Sequence, residues 1–276
     1  MPELPEVETI RQGLEAALVG EQLTNIIQRR ANLRFDFPKN FVEKLCGRTV
    51  LHVKRRAKYL LIYFDNQDVL ISHLGMSGSF RIFTNGQSNS NQHDHVTFIT
   101  KRRTLIHYND PRRFGFMDIT NTSDLADYPM LSSLGPEPLS NAFTARTMIK
   151  NLTNLSGPIK PILLNQRVVA GLGNIYACEA LYQAKLSPRR RAASIRGKRA
   201  ENLVAAIKSI LNKAIAAGGS TLRNYQHTDG KLGYFQNAHA VYGRFGELCP
   251  GCTCTQGIKK IIQSGRSTFF CSKYQI

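Results

Sequence analysis

Apolar residues at Val7, Ile10, Leu14 and Leu18 recur three or four positions apart, which predicts an opening helix over Leu4 to Leu18 with one buried face. Gly20 follows as its stop. The pattern then changes to short apolar or alternating runs. These predict strands over Leu23 to Gln28, Val50 to Phe64, Val69 to Leu74, Gly78 to Phe83, His95 to Thr100, Thr104 to Tyr108 and Phe114 to Ile119. Turn sequences such as Asp65-Asn66 and Asn85-Gly86 separate most of them, and a helix over Lys39 to Cys46 interrupts the series. Short strands in this number, with few helices, read as a β-sandwich or barrel.

From Asn121 to Phe143 the chain is irregular and turn-rich, and then its character becomes helical. The clearest helix runs from Lys198 to Ala217, with Leu203, Ile207, Ile210, Leu211 and Ala214 on one face and Gly218-Gly219 ending it. Ser220 to Ala240 reads as a polar loop, and the segment from Val241 onward is small, basic and cysteine-bearing. The expected fold is therefore α+β and multidomain. Residues 1–125 form a β-sandwich with flanking helices, 126–145 a linker, 146–235 a helical domain, and 236–276 a zinc-finger-like β-ribbon.

A hydrophobic content of 42% over 276 residues excludes global disorder. No apolar run reaches the roughly 18 residues of a membrane span, and no charged-then-apolar leader precedes the acidic first turn. The expected location is the cytoplasm, with no membrane partner. Charge narrows the picture further. Lysine and arginine total 37 against 19 aspartate and glutamate, a net charge of +18, and a surface so basic favours a polyanion, above all nucleic acid. The cations are scattered through Lys54-Arg55-Arg56, Lys101-Arg102-Arg103, Arg112-Arg113, Arg189-Arg190-Arg191 and Lys259-Lys260, as in a groove lined from several segments.

Of six cysteines, Cys46 and Cys178 sit in apolar surroundings and read as buried thiols. Cys249, Cys252, Cys254 and Cys271 cluster at the C-terminus, which in a cytosolic chain points to metal. Cys249-Pro-Gly-Cys252 makes a knuckle that sets two sulfurs on one tetrahedral zinc. The second knuckle reads Cys271-Ser-Lys-Tyr274, with tyrosine where a fourth cysteine would complete the set. Cys254 is the candidate replacement; three thiolates plus water, or no metal, are the alternatives.

Other segments carry chemistry. With Met1 removed, Pro2 becomes a secondary amine beside the Glu3 carboxylate, and such an amine can attack a sugar carbon and hold it as an iminium. An α-amino group titrates near about pH 8, below lysine, so part of it is unprotonated at neutrality. The same prolines can equally frame a helix start, with Glu6 and Glu8 set against its dipole. Gly171-Leu-Gly173 followed by Asn174 reads as a turn between helices whose new N-terminus can take a phosphate. On a continuous strand from Val50 to Phe64, Arg56, Lys58 and Leu60 would share a face. The loops His73-Leu-Gly-Met76-Ser-Gly78 and Asn109-Asp-Pro-Arg112-Arg-Phe114-Gly115 each display one apolar residue among glycines and cations, as a base-extracting wedge requires.

Six motifs in order resemble those of bacterial formamidopyrimidine-DNA glycosylases, a base-excision repair family, from end to end of the chain. They are Pro2-Glu-Leu-Pro-Glu-Val-Glu-Thr9, Arg55-Arg-Ala-Lys58, His73-Leu-Gly-Met-Ser-Gly78, Asp110-Pro-Arg-Arg-Phe-Gly115, Gly171-Leu-Gly-Asn-Ile-Tyr176 and Gly265-Arg-Ser-Thr268 ahead of Cys271. The resemblance implies a helix-two-turn-helix central domain. It implies Pro2 as nucleophile at C1′, Glu3 as acid/base, Lys58 as an active-site phosphate binder and proton carrier, and Arg266 in the same machinery. Met76, Arg112 and Phe114 would enter the duplex, Arg112 facing the orphaned cytosine. His93, Asn174, Arg266 and Lys160 would hold phosphates, and the loop from Ser220 to Tyr225 would close over the everted lesion.

The implied reaction removes oxidised purines such as 8-oxoguanine and then cuts the strand by β,δ-elimination, without a redox or nucleotide cofactor. The partners are double-stranded DNA containing oxidised purines or abasic sites, met by a monomer at the nucleoid. One structural zinc is expected. Tyr274 departs from the family, as do two extra residues between Cys252 and Cys271. Both predict weakened or altered metal binding. The competing readings are a non-enzymatic binder of damaged DNA with the same fold, and an endonuclease VIII-like preference for oxidised pyrimidines.

Overall fold

The computed structural model describes residues 1–84, 91–220, 228 and 233–276. They form two compact units, Met1–Ser132 with Ala217–Tyr234, and Ser133–Ala216 with Phe235–Ile276. The predicted turn at Asn85-Gly86 and the loop from residue 221 to Tyr225 lie outside the described residues.

In the first unit, α1 (Leu4–Leu18) is followed by β1 (Leu23–Gln28), α2 (Phe41–Leu45), β2 (Val50–Arg56), β3 (Tyr59–Phe64), β4 (Asp68–His73), β5 (Ser79–Phe83), β6 (Asp94–Thr100), β7 (Leu105–Asn109), β8 (Phe116–Asn121) and the single turn α3 (Pro129–Ser132). Two antiparallel four-stranded sheets result, in the orders β1-β6-β7-β5 and β2-β3-β4-β8. Val7, Ile10, Leu14 and Leu18 of α1 share one core with Leu23, Val50, Leu60, Leu70, Phe80, Phe98 and Ile106, so the predicted helix face meets residues from both sheets. Burying that apolar surface is the main force holding the sandwich together.

Three expectations need correction. The apolar run from Val50 to Phe64 is not one strand: Arg56 pairs with Tyr59, and Ala57-Lys58 forms the hairpin loop between them. Ala57 takes the left-handed backbone (φ 53°) that such a loop requires, without the Gly or Asn that usually advertises it. Lys58 therefore occupies a turn, not a strand face. Cys46 is half-buried rather than buried, ending α2 with its Sγ 3.4 Å from the Thr24 carbonyl oxygen. Strand β8 also starts two residues later than predicted, which leaves Phe114 in the preceding turn.

The second unit contains α4 (Ala145–Leu152), α5 (Ile159–Leu163), α6 (Asn174–Gln183), α7 (Lys198–Ala216), β9 (Lys259–Gln263) and β10 (Arg266–Phe270). Thr144 caps α4 by accepting from the Thr147 amide at 3.2 Å. The predicted face of α7 is buried, Leu203, Ile207 and Leu211 fully. Strands β9 and β10 make an antiparallel ribbon in which Arg266 faces Gln263 beside a Ser264-Gly265 turn. Glu179 on α6 accepts three amides, from Ala240 (2.8 Å), Val241 (3.0 Å) and Tyr242 (2.8 Å), and so pins the strandless segment before the cysteines. Among the described residues no helix is long and apolar enough to cross a membrane.

Candidate active site

Pro2 and Glu3 are buried at the start of α1. The Glu3 amide donates to the Glu6 carboxylate at 2.8 Å, half of a capping box that fixes the first turn. The other Glu6 oxygen accepts from the Ser220 amide at 2.8 Å. Gly219 has φ +80°, and a Cβ there would lie 2.8 Å from that oxygen, so glycine permits the approach. Glu6 thus ties the helix start to the residue from which the 221–227 segment departs.

The terminal amine of Met1 has its pKa lowered, chiefly by burial, with Lys58 and Arg112 pushing the same way against Glu3 and Glu6. Glu3, Lys58 and Arg112, all predicted site residues, therefore act electrostatically on the N-terminus. Lys58 is itself buried in its turn. Arg55 braces that turn: its Nη1 donates to the Ala57 carbonyl oxygen at 3.0 Å and its Nε to Glu8 of α1 at 2.8 Å. A charge-assisted pair thereby joins the Lys58 hairpin to the helix that begins beside Pro2.

Met76 and Phe114 are exposed, as a wedge must be. The Arg112 guanidinium lies 4.7 Å from the Phe114 ring centroid. Beneath them the Asp110 carboxylate, wholly buried, accepts from Ser77 Oγ at 2.5 Å and from the Gly115 amide at 2.8 Å. Ser77 Oγ accepts in turn from the Arg112 amide at 3.1 Å. Gly75 is left-handed (φ +59°), and a Cβ on it would stand 2.3 Å from the Phe114 carbonyl carbon. Its amide donates to His73 Nδ1 at 3.1 Å, which places the ring proton on Nε2. His73 stacks on Phe116 and packs against Tyr59, and its pKa falls to about 4, through burial first and then Lys58 and Arg34. It is neutral at physiological pH.

His93 is half-buried, its amide donating to Asn91 Oδ1 at 3.0 Å. The Asn91 amide donates in turn to Asp94, which is held by Arg81 at 2.7 Å.

In the second unit Lys160 is fully buried. Its ammonium donates to Asn174 Oδ1 and, at 3.3 Å, to the Ser267 carbonyl oxygen. Asn174 Nδ2 donates to that same carbonyl at 3.0 Å. The first residue of α6 is thus fastened to β10 one position beyond Arg266, which is exposed. Lys160 acts on Asn174 and the ribbon, a role its position in the sequence does not suggest.

Cys249, Cys252 and Cys271 have sulfurs within 4.8 Å of one another. Cys254 Sγ lies 3.1 Å from Cys252 Sγ and 3.5 Å from Cys271 Sγ. Soft thiols converging in this number suit a structural zinc or a similar thiophilic ion.

The sequence does not mark Asp110 and Ser77 as organisers of the turns carrying Met76 and Arg112-Phe114, Arg55 and Glu8 as braces of Lys58, or Glu6 as the anchor of Ser220. The motifs containing them were visible. Their partners lie far away in the chain, and no local spacing marks them.

A buried proline at position 2 with an adjacent carboxylate, a turn-borne lysine and two exposed apolar side chains on turns linked through Ser77 and Asp110 suit an enzyme of the base-everting class. The description of a formamidopyrimidine-DNA glycosylase N-terminal domain matches residues 1–117, and that of a formamidopyrimidine-DNA glycosylase H2TH domain matches residues 134–226. A formamidopyrimidine-DNA glycosylase of Rhodospirillum rubrum is 51% identical, with both chains covered in full. The crystal structure of the MutM (Fpg) protein of Thermus thermophilus superposes with a TM-score of 0.88 at 39% identity, covering 99% of this chain and 98% of that one. The Lactococcus lactis Fpg, complexed with DNA containing an abasic site, gives 0.88 at 36%, with 99% of each chain covered. The chain belongs to the formamidopyrimidine-DNA glycosylase family.

Proposed function

We propose that this protein is a base-excision repair glycosylase and abasic-site lyase for oxidised purines in duplex DNA. The observation that carries the reading is the buried Pro2-Glu3 start of α1, with Lys58 and Arg112 in electrostatic reach of the adjoining Met1 amine. Once Met1 is removed, the Pro2 nitrogen bonds to C1′ of the everted nucleotide and the glycosidic bond breaks, the base leaving with a proton. Glu3 aids opening of the sugar ring and proton transfer. The resulting iminium acidifies the 2′-hydrogen; its loss expels the 3′-phosphate, and a second elimination expels the 5′-phosphate. Burial and the cations Lys58 and Arg112 lower the pKa of the Met1 amine, and the same surroundings would favour the neutral, nucleophilic form of a Pro2 amine one residue further in.

Met76 and Phe114 fill the vacated stack and Arg112 meets the widowed base. His93, Asn174, Lys160 and Arg266 serve the phosphate backbone, Lys160 by holding Asn174 and Ser267 in place, and Arg266 completes the catalytic machinery. The protein acts as a monomer in the cytoplasm, at the nucleoid. Cys249, Cys252 and Cys271 contribute to one structural zinc, which when bound cross-links the C-terminal ribbon and takes no part in the chemistry.

Borohydride reduction with an 8-oxoguanine duplex, followed by peptide mapping, tests the reading. A covalent adduct on Pro2 in protein whose intact mass lacks Met1 is expected. Tight duplex binding without an adduct would instead identify a binder.

A further inference from the structure

We propose that the zinc ligands of this chain are Cys249, Cys252, Cys254 and Cys271, the fourth thiolate coming from just past the first knuckle instead of from the second. This rests on the zinc reading above and goes further by assigning Cys254 a place and Tyr274 a different task.

Geometry supports the set. With zinc–sulfur bonds of about 2.3 Å, the edge of a tetrathiolate tetrahedron is about 3.8 Å. Cys252 and Cys271 already stand at 3.7 Å and Cys254 and Cys271 at 3.5 Å. The Cys252–Cys254 separation, 3.1 Å, must widen by roughly 0.7 Å to reach the same edge. Cys249 is within 4.8 Å of both Cys252 and Cys271. Cys254 stands outside that 4.8 Å group of three, and because residues 253 and 255–256 lie outside regular structure its loop is free to close toward Cys249.

The second knuckle keeps its turn without its second cysteine. The Tyr274 amide donates to Cys271 Sγ at 3.4 Å, and Gln275 exchanges hydrogen bonds with the Cys271 backbone, its Oε1 accepting at 2.9 Å and its amide donating at 3.0 Å. The Tyr274 amide supports the thiolate from outside the coordination shell, while Gln275 fixes the backbone that carries it.

The Tyr274 ring is committed elsewhere. It packs on the Tyr182 ring with centroids 4.8 Å apart, and the Lys185 ammonium lies 5.0 Å from its centre. A Cβ at position 251 would stand 2.7 Å from its Cζ, so the glycine of Cys249-Pro-Gly-Cys252 makes room for the phenol. Tyr182 in turn brings its hydroxyl to 3.5 Å from Cys249 Sγ. Tyr274 is a packing residue that seats the first knuckle against α6, and the ligand it displaced is supplied by Cys254.

The test uses full-length protein, native mass spectrometry, chelator competition and cobalt substitution. Wild type is expected to hold one metal ion, with a thiolate-to-cobalt charge-transfer band of four-sulfur intensity. Cys254→Ser should lower that band by about a quarter, one sulfur in four, and release metal to a chelator that leaves wild type loaded. Tyr274→Phe should change neither readout. The double variant Cys254→Ser/Tyr274→Cys should recover both, which separates ligand loss from misfolding. An unchanged band and unchanged retention in Cys254→Ser would overturn the assignment, as would metal loss in Tyr274→Phe or no recovery in the double variant. Wild type that holds no metal would overturn the zinc reading itself.

Discussion

The Ser77 hydroxyl donates to the buried Asp110 carboxylate at 2.5 Å, and through that bond the turn carrying Met76 is joined to the turn carrying Arg112 and Phe114. Ser77 Oγ completes the link by accepting from the Arg112 amide. Ser77→Ala removes both contacts and is expected to cost about 1.5–3 kcal/mol in urea unfolding, typical of a hydrogen bond to a charged group. Base eversion, followed by fluorescence of 2-aminopurine beside the lesion, should slow more than cleavage of a preformed abasic site. Equal slowing of the two would argue against a joined wedge.

Arg55 holds the Lys58 hairpin to α1 through Glu8 and the Ala57 carbonyl. Arg55→Lys keeps the charge but cannot span both partners with a planar fork. Borohydride trapping at single turnover should fall about tenfold, equivalent to about 1.4 kcal/mol of lost positioning, while duplex affinity stays near wild type. A parallel loss of affinity would mean that Arg55 binds phosphate instead.

His73 supplies a pH test with a defined sign. Its folded pKa of about 4 lies below the ordinary histidine value of 6.5, so the unfolded chain binds the proton more readily. The neutral form is native, and stability is complete above pH 6.5 and declines as pH falls toward 4. The full decline is on the order of 3 kcal/mol. His73→Asn offers Oδ1 to the Gly75 amide and does not titrate. Its unfolding free energy should lack this acid slope, and identical slopes in the two proteins would contradict the account.

The excess of 37 basic over 19 acidic residues predicts a steep salt response. With about five phosphates contacted, log affinity should fall with log salt at a slope of roughly −4 to −5. Titrations of an abasic duplex at several salt concentrations measure it directly. A nearly flat line would rule out a phosphate-lined groove.

Much of this was legible in the amino-acid sequence. Helices α1 and α7 announced themselves by a 3.6-residue period and terminal glycines, and β-strands by runs bounded by turns. Local signals failed where a long-range fit overrode them. The run from Val50 to Phe64 reads as one strand because Ala57-Lys58 contains no turn-forming residue; only pairing of Arg56 with Tyr59 compels the left-handed Ala57.

By itself, then, the sequence determined the family, the excess of basic charge and the four clustered thiols, since each is a property of residue type and short spacing. Tertiary structure decided what holds them. The Ser77–Asp110 bond spans 33 positions and the Lys160–Ser267 bond 107. Such bonds form between buried polar groups only when the fold removes water and leaves each the other as partner. No periodicity along the chain encodes that pairing.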